Sequence, residues 1–249
     1  MEIRYFKQYS RNLDRDMEFK VYGHSGRPVL FIPCEGGRFY DYEDFGMIDH
    51  WAQWIEEGRC CIYAMDSIDH ETYLSNAEPS QRIWRHEQWY NYIIEELVPY
   101  IRFLSQERNG YDQGIMTFGC SMGAMHSANL FFRRPDLFNG VFALSGVYDC
   151  KMYFGNYMDD VLYRNTPTEY LRNLPEEHYY KRMYNNRRML FVAGQGPWEE
   201  ASVNSLRYLE YVMRGRGIHA NTEYWGNDVS HDWYWWHKMV EVYAPRFLY

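Results

Sequence analysis

The 249-residue sequence predicts an α/β fold in which a mostly parallel sheet is covered by helices on both faces. One observation is the recurrence of short, continuous apolar runs, which are typical of buried parallel strands. These runs occupy 28–33, 60–65, 114–118, 140–146 and 189–194. Another is that helical patterns alternate with the runs, at 44–57, 79–106, 124–132, 202–214 and 231–243. Because no internal repeat or low-complexity linker interrupts the alternation, we expect one domain over 1–249.

The N-terminal part of the chain predicts an antiparallel pair at an open edge of the sheet. Residues 3–9 and 16–22 have strand patterns, and the intervening Asn12-Leu13-Asp14 suits a turn. The helix expected at 44–57 carries an apolar face, which consists of Phe45, Ile48, Trp51, Trp54 and Ile55. We therefore expect that face to pack against the sheet.

Two other segments have features of their own. The helix at 79–106 contains Pro99, which can kink it because proline lacks a backbone N–H. A last strand is expected at 218–225. The polar and aromatic segment 151–187 breaks the alternation, so we interpret a small insertion around 150–187 as a cap of short helices over the sheet ends.

Composition limits the classes of partner and compartment. The formal net charge of −8 argues against nucleic acid and anionic membranes as partners. The five cysteines fit no disulfide or zinc spacing, and neither a signal peptide nor an 18-residue apolar run is present, so we expect a cytoplasmic protein that does not cross a membrane. Aromatic residues make up 19% of the chain, which suits an aromatic pocket, a homo-oligomer interface or simply an aromatic core.

The segment Gly119-Cys120-Ser121-Met122-Gly123 has the pattern G-x-S-x-G between a predicted strand and a predicted helix. In that context the serine sits on a strained turn that exposes its hydroxyl, and the glycines leave room for the turn. The start of the following helix brings free backbone N–H groups to the reacting carbon. Ser121 is therefore the candidate nucleophile.

A serine nucleophile requires a base that is oriented by an acid, and in this class of fold the chain order is serine, acid, histidine. His231 follows the last predicted strand and is the preferred base; His219 and His237 are alternatives. The acid is expected in the loop after Gly194, where Glu199 is preferred over Glu200. Asp228 and Asp149 remain further options for the acid.

Stabilisation of the developing oxyanion needs two backbone donors. One is expected from Met122, which follows the nucleophile, and the other from Gly36 or Gly37, which follow the strand at 28–33. The polar residues Asp66, Asp69, His70 and Glu71 match no established metal-site spacing, so we interpret them as a polar loop and expect neither a metal nor a cofactor.

These features together resemble the putative esterase family of the α/β-hydrolases, which includes S-formylglutathione hydrolases, feruloyl and acetyl-xylan esterases, siderophore esterases and mycolyltransferases. The most specific matching segments are Gly119 to Gly123 and the run that begins His231-Asp232-Trp233. Softer matches are Arg15-Asp16-Met17, Pro135 to Phe138 and Leu144-Ser145-Gly146. The chain departs from the family where His-Gly is common, since it has Cys34-Glu35-Gly36-Gly37, and where the acid is commonly Asp.

The resemblance implies hydrolysis of a small-molecule carboxylic ester through an acyl-enzyme, without naming the acyl group. An acyltransferase with the same three residues is an alternative. A non-catalytic binding or assembly module on the same fold is another.

Overall fold

The computed structural model describes residues 1–248, in which an eight-stranded sheet has the order β1-β2-β4-β3-β5-β6-β7-β8. The strands are β1 Ile3–Ser10, β2 Arg15–Tyr22, β3 Arg27–Ile32, β4 Cys60–Met65, β5 Ile115–Cys120, β6 Phe138–Leu144, β7 Arg188–Ala193 and β8 Asn221–Tyr224. β2 is antiparallel to both β1 and β4. The six strands β3 to β8 are parallel to one another. The parallel strands therefore end at one edge of the sheet, where their following loops meet.

The helices cover both faces of this sheet. They are α1 Asp41–Asp44, α2 Met47–Glu56, α3 Pro79–Tyr92, α4 Val98–Asn109, α5 Met122–Arg133, α6 Lys151–Phe154, α7 Asp160–Arg164, α8 Pro167–Arg172, α9 Tyr179–Asn185, α10 Glu200–Gly215 and α11 Trp233–Leu248. A 3₁₀ turn covers Asp69–Glu71 and a π turn covers Ile93–Leu97. One apolar core lies between the sheet and α3, α4, α5 and α10, and a second lies between the sheet and α2 and α11. The predicted α/β-hydrolase fold and its open antiparallel edge are confirmed.

Many of the aromatic side chains belong to these cores. Trp51 of α2 lies edge-on to Phe31 and Phe118, with ring centroids 5.2 and 5.3 Å away, and Phe118 contacts Phe142 at 5.2 Å. Edge-to-face packing of this kind adds about 0.5–1.5 kcal/mol per pair beyond area burial. The high aromatic content is thus used in part to fill the space between α2 and the sheet.

Two predicted helices differ from the structure. The helix expected at 44–57 begins only at Met47, because Gly46 has a φ of 76° that no continuous helix can contain, and the separate short helix α1 ends at Asp44. Phe45 is consequently 51% exposed and stacks on Trp233 instead of joining the core, so its predicted position was wrong. The helix expected at 79–106 contains the π turn directly before α4, where Pro99 removes a backbone donor.

The segment 151–187 contains the short helices α6, α7, α8 and α9, as its composition indicated. Asp159 caps α7 by accepting a hydrogen bond from the Leu162 N–H at 2.7 Å. The interpretation of this segment as a substrate-shaping cap stays a prediction, as do the cytoplasmic location and the homo-oligomer. Among residues 1–248, no helix has both the length and the apolar character needed to cross a membrane.

Candidate active site

Ser121 occupies a sharp turn between β5 and α5, with φ of 56° and ψ of −124°. Close packing explains both glycines of the motif. A Cβ on Gly119 would lie 2.2 Å from the carbonyl carbon of Gly123, and a Cβ on Gly123 would lie 2.2 Å from the carbonyl oxygen of Ile32. The turn therefore requires glycine at both positions, and the strained serine backbone costs about 1–3 kcal/mol.

Buried hydrogen bonds hold this turn against its neighbouring strands. The Ser121 N–H donates to the Leu144 carbonyl at 2.8 Å. The Tyr42 hydroxyl donates to the Ile32 carbonyl at 2.9 Å and accepts the Cys120 N–H at 3.0 Å. Burial raises the pKa of Tyr42 well above its ordinary value, so the phenol keeps the proton that it donates. The backbone beside the nucleophile is consequently fixed to the ends of β3 and β6.

His231 lies in the loop between β8 and α11, and its Nε2 is 2.9 Å from Ser121 Oγ. Its backbone N–H donates to the Pro197 carbonyl at 3.0 Å, and its ring lies edge-on to Trp236 at a centroid distance of 4.9 Å. The structure thus brings the predicted nucleophile and base together. The alternative His219 lines a different pocket at the opposite ends of β7 and β8, and His237 stacks on His50 at 4.1 Å.

Glu199 is fully buried directly before α10, and its Oε2 lies 3.5 Å from His231 Nδ1. That separation is longer than a strong hydrogen bond, although neither atom has another partner among residues 1–248. Glu200, by contrast, is exposed at the start of α10, and Asp228 is exposed in its loop. Asp149 bonds to the Ser205 hydroxyl at 2.9 Å, so Glu199 is the predicted acid that lies behind His231.

Ser145 is a residue of this site that the sequence analysis did not assign. Its hydroxyl donates to Glu199 Oε1 and accepts the Trp236 Nε1–H at 3.0 Å. Its backbone has φ of 56°, and its carbonyl accepts the Ser202 hydroxyl at 2.9 Å. The available signal was a serine directly after the apolar strand β6, next to the strand that carries the acid.

The loop after β3 differs from its prediction. The Gly36 N–H donates to Asp69 Oδ2 at 3.0 Å, and the Gly37 N–H donates to the Cys34 carbonyl at 2.9 Å. Neither glycine therefore has an N–H free to meet an oxyanion, so these two predicted donors do not match the structure. Glu35, which lies between Cys34 and Gly36, lines the cavity beside Ser121, as does Met122.

The cavity at Ser121 has a volume of about 150 Å³. It adjoins a larger pocket of about 560 Å³ between α6, α8 and α10, and the two share Val147, Met152 and Ala201. Trp198 lies at the mouth of the smaller cavity, 88% exposed and with φ of 68°. The two pockets are therefore adjacent and differ in volume.

Three of the four polar residues after β4 are engaged within the protein, and the fourth, His70, is exposed. Asp66 pairs with the Arg38 guanidinium at 2.7 Å, and Glu71 pairs with Arg85 at 2.9 Å. Asp69 holds the Gly36 N–H and lies 3.3 Å from His126 Nε2. In the part of the chain that the structure describes, no three His, Cys, Asp or Glu side chains are grouped as metal ligands would be.

Comparison with known proteins extends these observations. A ferulic acid esterase structure has a TM-score of 0.75 at 15% identity, over 99% of this chain and 98% of that one. An S-formylglutathione hydrolase from Agrobacterium tumefaciens has a TM-score of 0.74 at 15% identity, over 99% and 94%. The fluorophosphonate-binding serine hydrolase F of Staphylococcus aureus has a TM-score of 0.69 at 15% identity, over 100% and 98%. At these identities the similarity demonstrates the shared fold.

No curated protein is significantly similar to this chain in sequence. The family model described as "Putative esterase", however, matches residues 10–246. That match includes the turn at Ser121, the loop of Glu199 and the loop of His231. The chain therefore belongs to the putative esterase family, and it has the same fold as solved structures of ester hydrolases.

Proposed function

We propose that this chain is a serine hydrolase that cleaves carboxylic esters through an acyl-enzyme intermediate. The observation that carries the proposal is the 2.9 Å contact between Ser121 Oγ and His231 Nε2 at a strained strand-to-helix turn. A serine hydroxyl becomes an effective nucleophile only beside a base, and a base works best when a third group orients it. Glu199, 3.5 Å behind His231, supplies a buried negative charge for the imidazolium that forms.

The reaction has two balanced halves. Ser121 Oγ attacks the ester carbonyl carbon while His231 Nε2 takes its proton, and the tetrahedral intermediate then expels the alkoxide, which leaves as the alcohol with that proton. Water next attacks the acyl-enzyme, again giving its proton to His231. The carboxylic acid departs, and the proton returns to Ser121 Oγ.

The oxyanion of each tetrahedral intermediate would be held by the backbone N–H groups of Met122 and Glu35. Met122 begins α5, so its N–H has no acceptor within the helix. The Glu35 N–H has no hydrogen-bond acceptor among residues 1–248, and Glu35 lines the cavity at Ser121. Two such donors lower the barrier because they meet charge where it develops, and loss of one costs about 2.7–4 kcal/mol.

The pockets support a substrate with unequal halves. We expect the smaller group in the cavity of about 150 Å³ and the larger group in the adjoining pocket of about 560 Å³. The larger pocket also favours a second candidate function, acyl transfer, because it could hold an alcohol acceptor in place of the ester's own larger half. Both reactions release the alcohol of the original ester, and product analysis with added alcohols separates hydrolysis, which releases the acyl group as the acid, from transfer, which releases it as a new ester.

The primary experiment measures hydrolysis of p-nitrophenyl esters from acetate to decanoate by wild type, Ser121→Ala and Ser80→Ala. Ser80 is an exposed serine in the first turn of α3 and serves as the matched control. We expect Ser80→Ala to equal wild type and Ser121→Ala to lose about 10⁴-fold or more in kcat, because the nucleophile and base act as a unit. A fluorophosphonate should label Ser121 covalently and release fluoride.

Equal rates in wild type and Ser121→Ala would overturn the proposal. Wild-type protein that is folded yet inert to every ester, with Ser121 unlabelled by the phosphonate, would favour the non-catalytic binding module instead.

A further inference from the structure

The loop that carries Glu35 is held at almost every peptide. The Gly36 N–H donates to Asp69, the Gly37 N–H donates to the Cys34 carbonyl, and the Gly37 carbonyl accepts the Ser67 hydroxyl at 2.8 Å. Of these contacts, only the one to Asp69 ties the loop directly to a buried charged group. The direction of the Glu35 N–H therefore depends on the peptide that Asp69 holds.

Asp69 joins this loop to the helix of the nucleophile. The carboxylate is 2% exposed; Oδ2 accepts the Gly36 N–H at 3.0 Å, and Oδ1 lies 3.3 Å from His126 Nε2. His126 belongs to α5, which begins directly after Ser121. Burying a carboxylate costs folding free energy unless hydrogen-bond partners replace the water that it loses. The contacts to Gly36 and His126 provide that replacement for Asp69.

His126 is itself held rigidly. The ring is 2% exposed and packs among Tyr73, His86 and Trp89, with centroid distances of 5.2, 5.1 and 5.1 Å. It stacks on His86 with an interplanar angle of 24°. A side chain enclosed in this way keeps one orientation, so it fixes the position of Asp69 relative to α5.

We propose that Asp69 and His126 are positioning residues for the oxyanion site. By holding the Gly36 peptide at a fixed place relative to α5, they aim the Glu35 N–H at the same point as the Met122 N–H. The inference rests on the proposed function, because that function supplies the oxyanion. Neither Asp69 nor His126 lines the cavity at Ser121, and Asp69 is joined to the lining residue Glu35 through its hydrogen bond to the Gly36 N–H.

The test compares Asp69→Ala, Asp69→Asn and His126→Gln with Glu71→Gln. Glu71 lies on the same 3₁₀ turn but pairs with Arg15 and Arg85 at the surface, so its substitution controls for disturbance of the turn. The readouts are kcat and KM for p-nitrophenyl acetate, and amide hydrogen exchange of the segment 33–38. Circular dichroism and thermal unfolding establish that each variant is folded.

We expect Asp69→Ala to lower kcat about 10²–10³-fold, the effect of losing one oxyanion donor, while KM changes less than about 3-fold. Asp69→Asn keeps an oxygen that can accept the Gly36 N–H, so it should recover to within about 10-fold of wild type. His126→Gln should lie between Asp69→Asn and Asp69→Ala. Exchange over 33–38 should accelerate in Asp69→Ala and remain as in wild type in Glu71→Gln.

A folded Asp69→Ala with kcat within about 3-fold of wild type would overturn the inference and leave the proposed esterase intact. If Asp69→Ala does not fold, His126→Gln decides, since it nearly keeps the side-chain volume; a folded His126→Gln with the kcat and the exchange rates of wild type would overturn the inference. If wild type hydrolyses no ester, the exchange measurement still separates the two ideas. Faster exchange then supports the holding of the loop while the proposed function fails.

Discussion

Two histidine–carboxylate pairs lie near the nucleophile, and they differ mainly in their access to the cavity. His231 and Glu199, the open pair, are 3.5 Å apart with the histidine 22% exposed, whereas His126 and Asp69, the sealed pair, are 3.3 Å apart with both side chains almost fully buried. His231 faces a hydroxyl across a cavity, and Asp69 faces a backbone N–H inside the protein. The same chemical groups therefore suit proton transfer in one place and the positioning of a loop in the other.

The strongest test of this comparison removes each histidine in turn. We expect His231→Ala to lower kcat about 10⁴–10⁶-fold with little loss of stability, because the ring is partly exposed and is needed for proton transfer. We expect His126→Ala to reduce the free energy of unfolding by about 2–4 kcal/mol, because it leaves a buried cavity and removes one of the two partners of the Asp69 carboxylate. Ester hydrolysis and urea denaturation measure the two effects.

If His126→Ala lost activity as completely as His231→Ala while keeping full stability, the assignment of the two pairs would be reversed. His219→Ala is the control, since His219 lies in a different pocket.

Ser145 and Trp236 support the open pair of His231 and Glu199. Glu199 is held more closely by Ser145 than by His231, and Trp236 donates to the Ser145 hydroxyl at 3.0 Å. Ser145→Ala removes a hydrogen bond to a buried charge, worth about 1.5–3 kcal/mol of stability, and should lower kcat about 10–100-fold by freeing the carboxylate to turn from His231. The measurements are urea denaturation and kcat for p-nitrophenyl acetate.

Trp236→Phe is the companion variant because it keeps an aromatic ring beside His231 and removes the N–H donor to the Ser145 hydroxyl. A Ser145→Ala variant with wild-type kcat would mean that packing alone orients Glu199.

His86, which stacks on His126 of the sealed pair, should make the stability of the fold depend on pH. Burial, together with the nearby His126 and Arg133, holds the pKa of His86 well below its ordinary value of 6.5. The unfolded chain therefore binds a proton at His86 that the folded protein excludes, so stability should fall as pH drops below about 6.5. The slope reaches about 1.4 kcal/mol per pH unit for one proton.

The measurement is the urea midpoint of wild type and His86→Phe between pH 7 and pH 5. The other titratable or charged groups around His86 are Asp69, Tyr73, His126 and Arg133, and they are common to both proteins. His237, whose pKa burial also lowers, contributes equally to both. The wild-type curve should fall more steeply than the variant curve; parallel curves would show that folding does not lower the pKa of His86.

The fold, Ser121 and His231 could be predicted from the sequence because their signals are local. Apolar runs define the strands, and the two glycines beside Ser121 follow from packing that any such turn requires. His231 was expected from its place after the last strand. Glu199 and Glu200 were harder to separate, since only the three-dimensional structure reveals which carboxylate is buried.

The supporting residues could not be predicted in the same way. The Gly36 N–H is bound by Asp69, which is distant in sequence, and that bond leaves Glu35 as the residue with a free donor. Ser145 acts on Glu199 only because β6 and β7 are neighbours in the sheet. Pairwise contacts of this kind depend on strand order and helix packing, which no local pattern specifies.

The smallest expected effect concerns Trp198, which lies at the mouth of the cavity beside the open pair. Its φ of 68° is strained for a bulky residue and its side chain is 88% exposed, so this residue costs stability without contributing to the core. Trp198→Gly should therefore raise the free energy of unfolding by about 0.5–1 kcal/mol, because glycine accepts this backbone conformation. If the indole instead packs on the substrate, KM for aromatic esters should rise about 3–10-fold, the loss of roughly one stacking contact. Urea denaturation and kinetics with phenyl and alkyl esters of one acid measure both changes.

Trp84→Gly, at an exposed tryptophan within α3, is the contrasting control and should lose stability without altering KM. A Trp198→Gly variant that is less stable than wild type would contradict the expected backbone strain at Trp198. An unchanged KM for both esters would contradict a contact between the indole and the substrate.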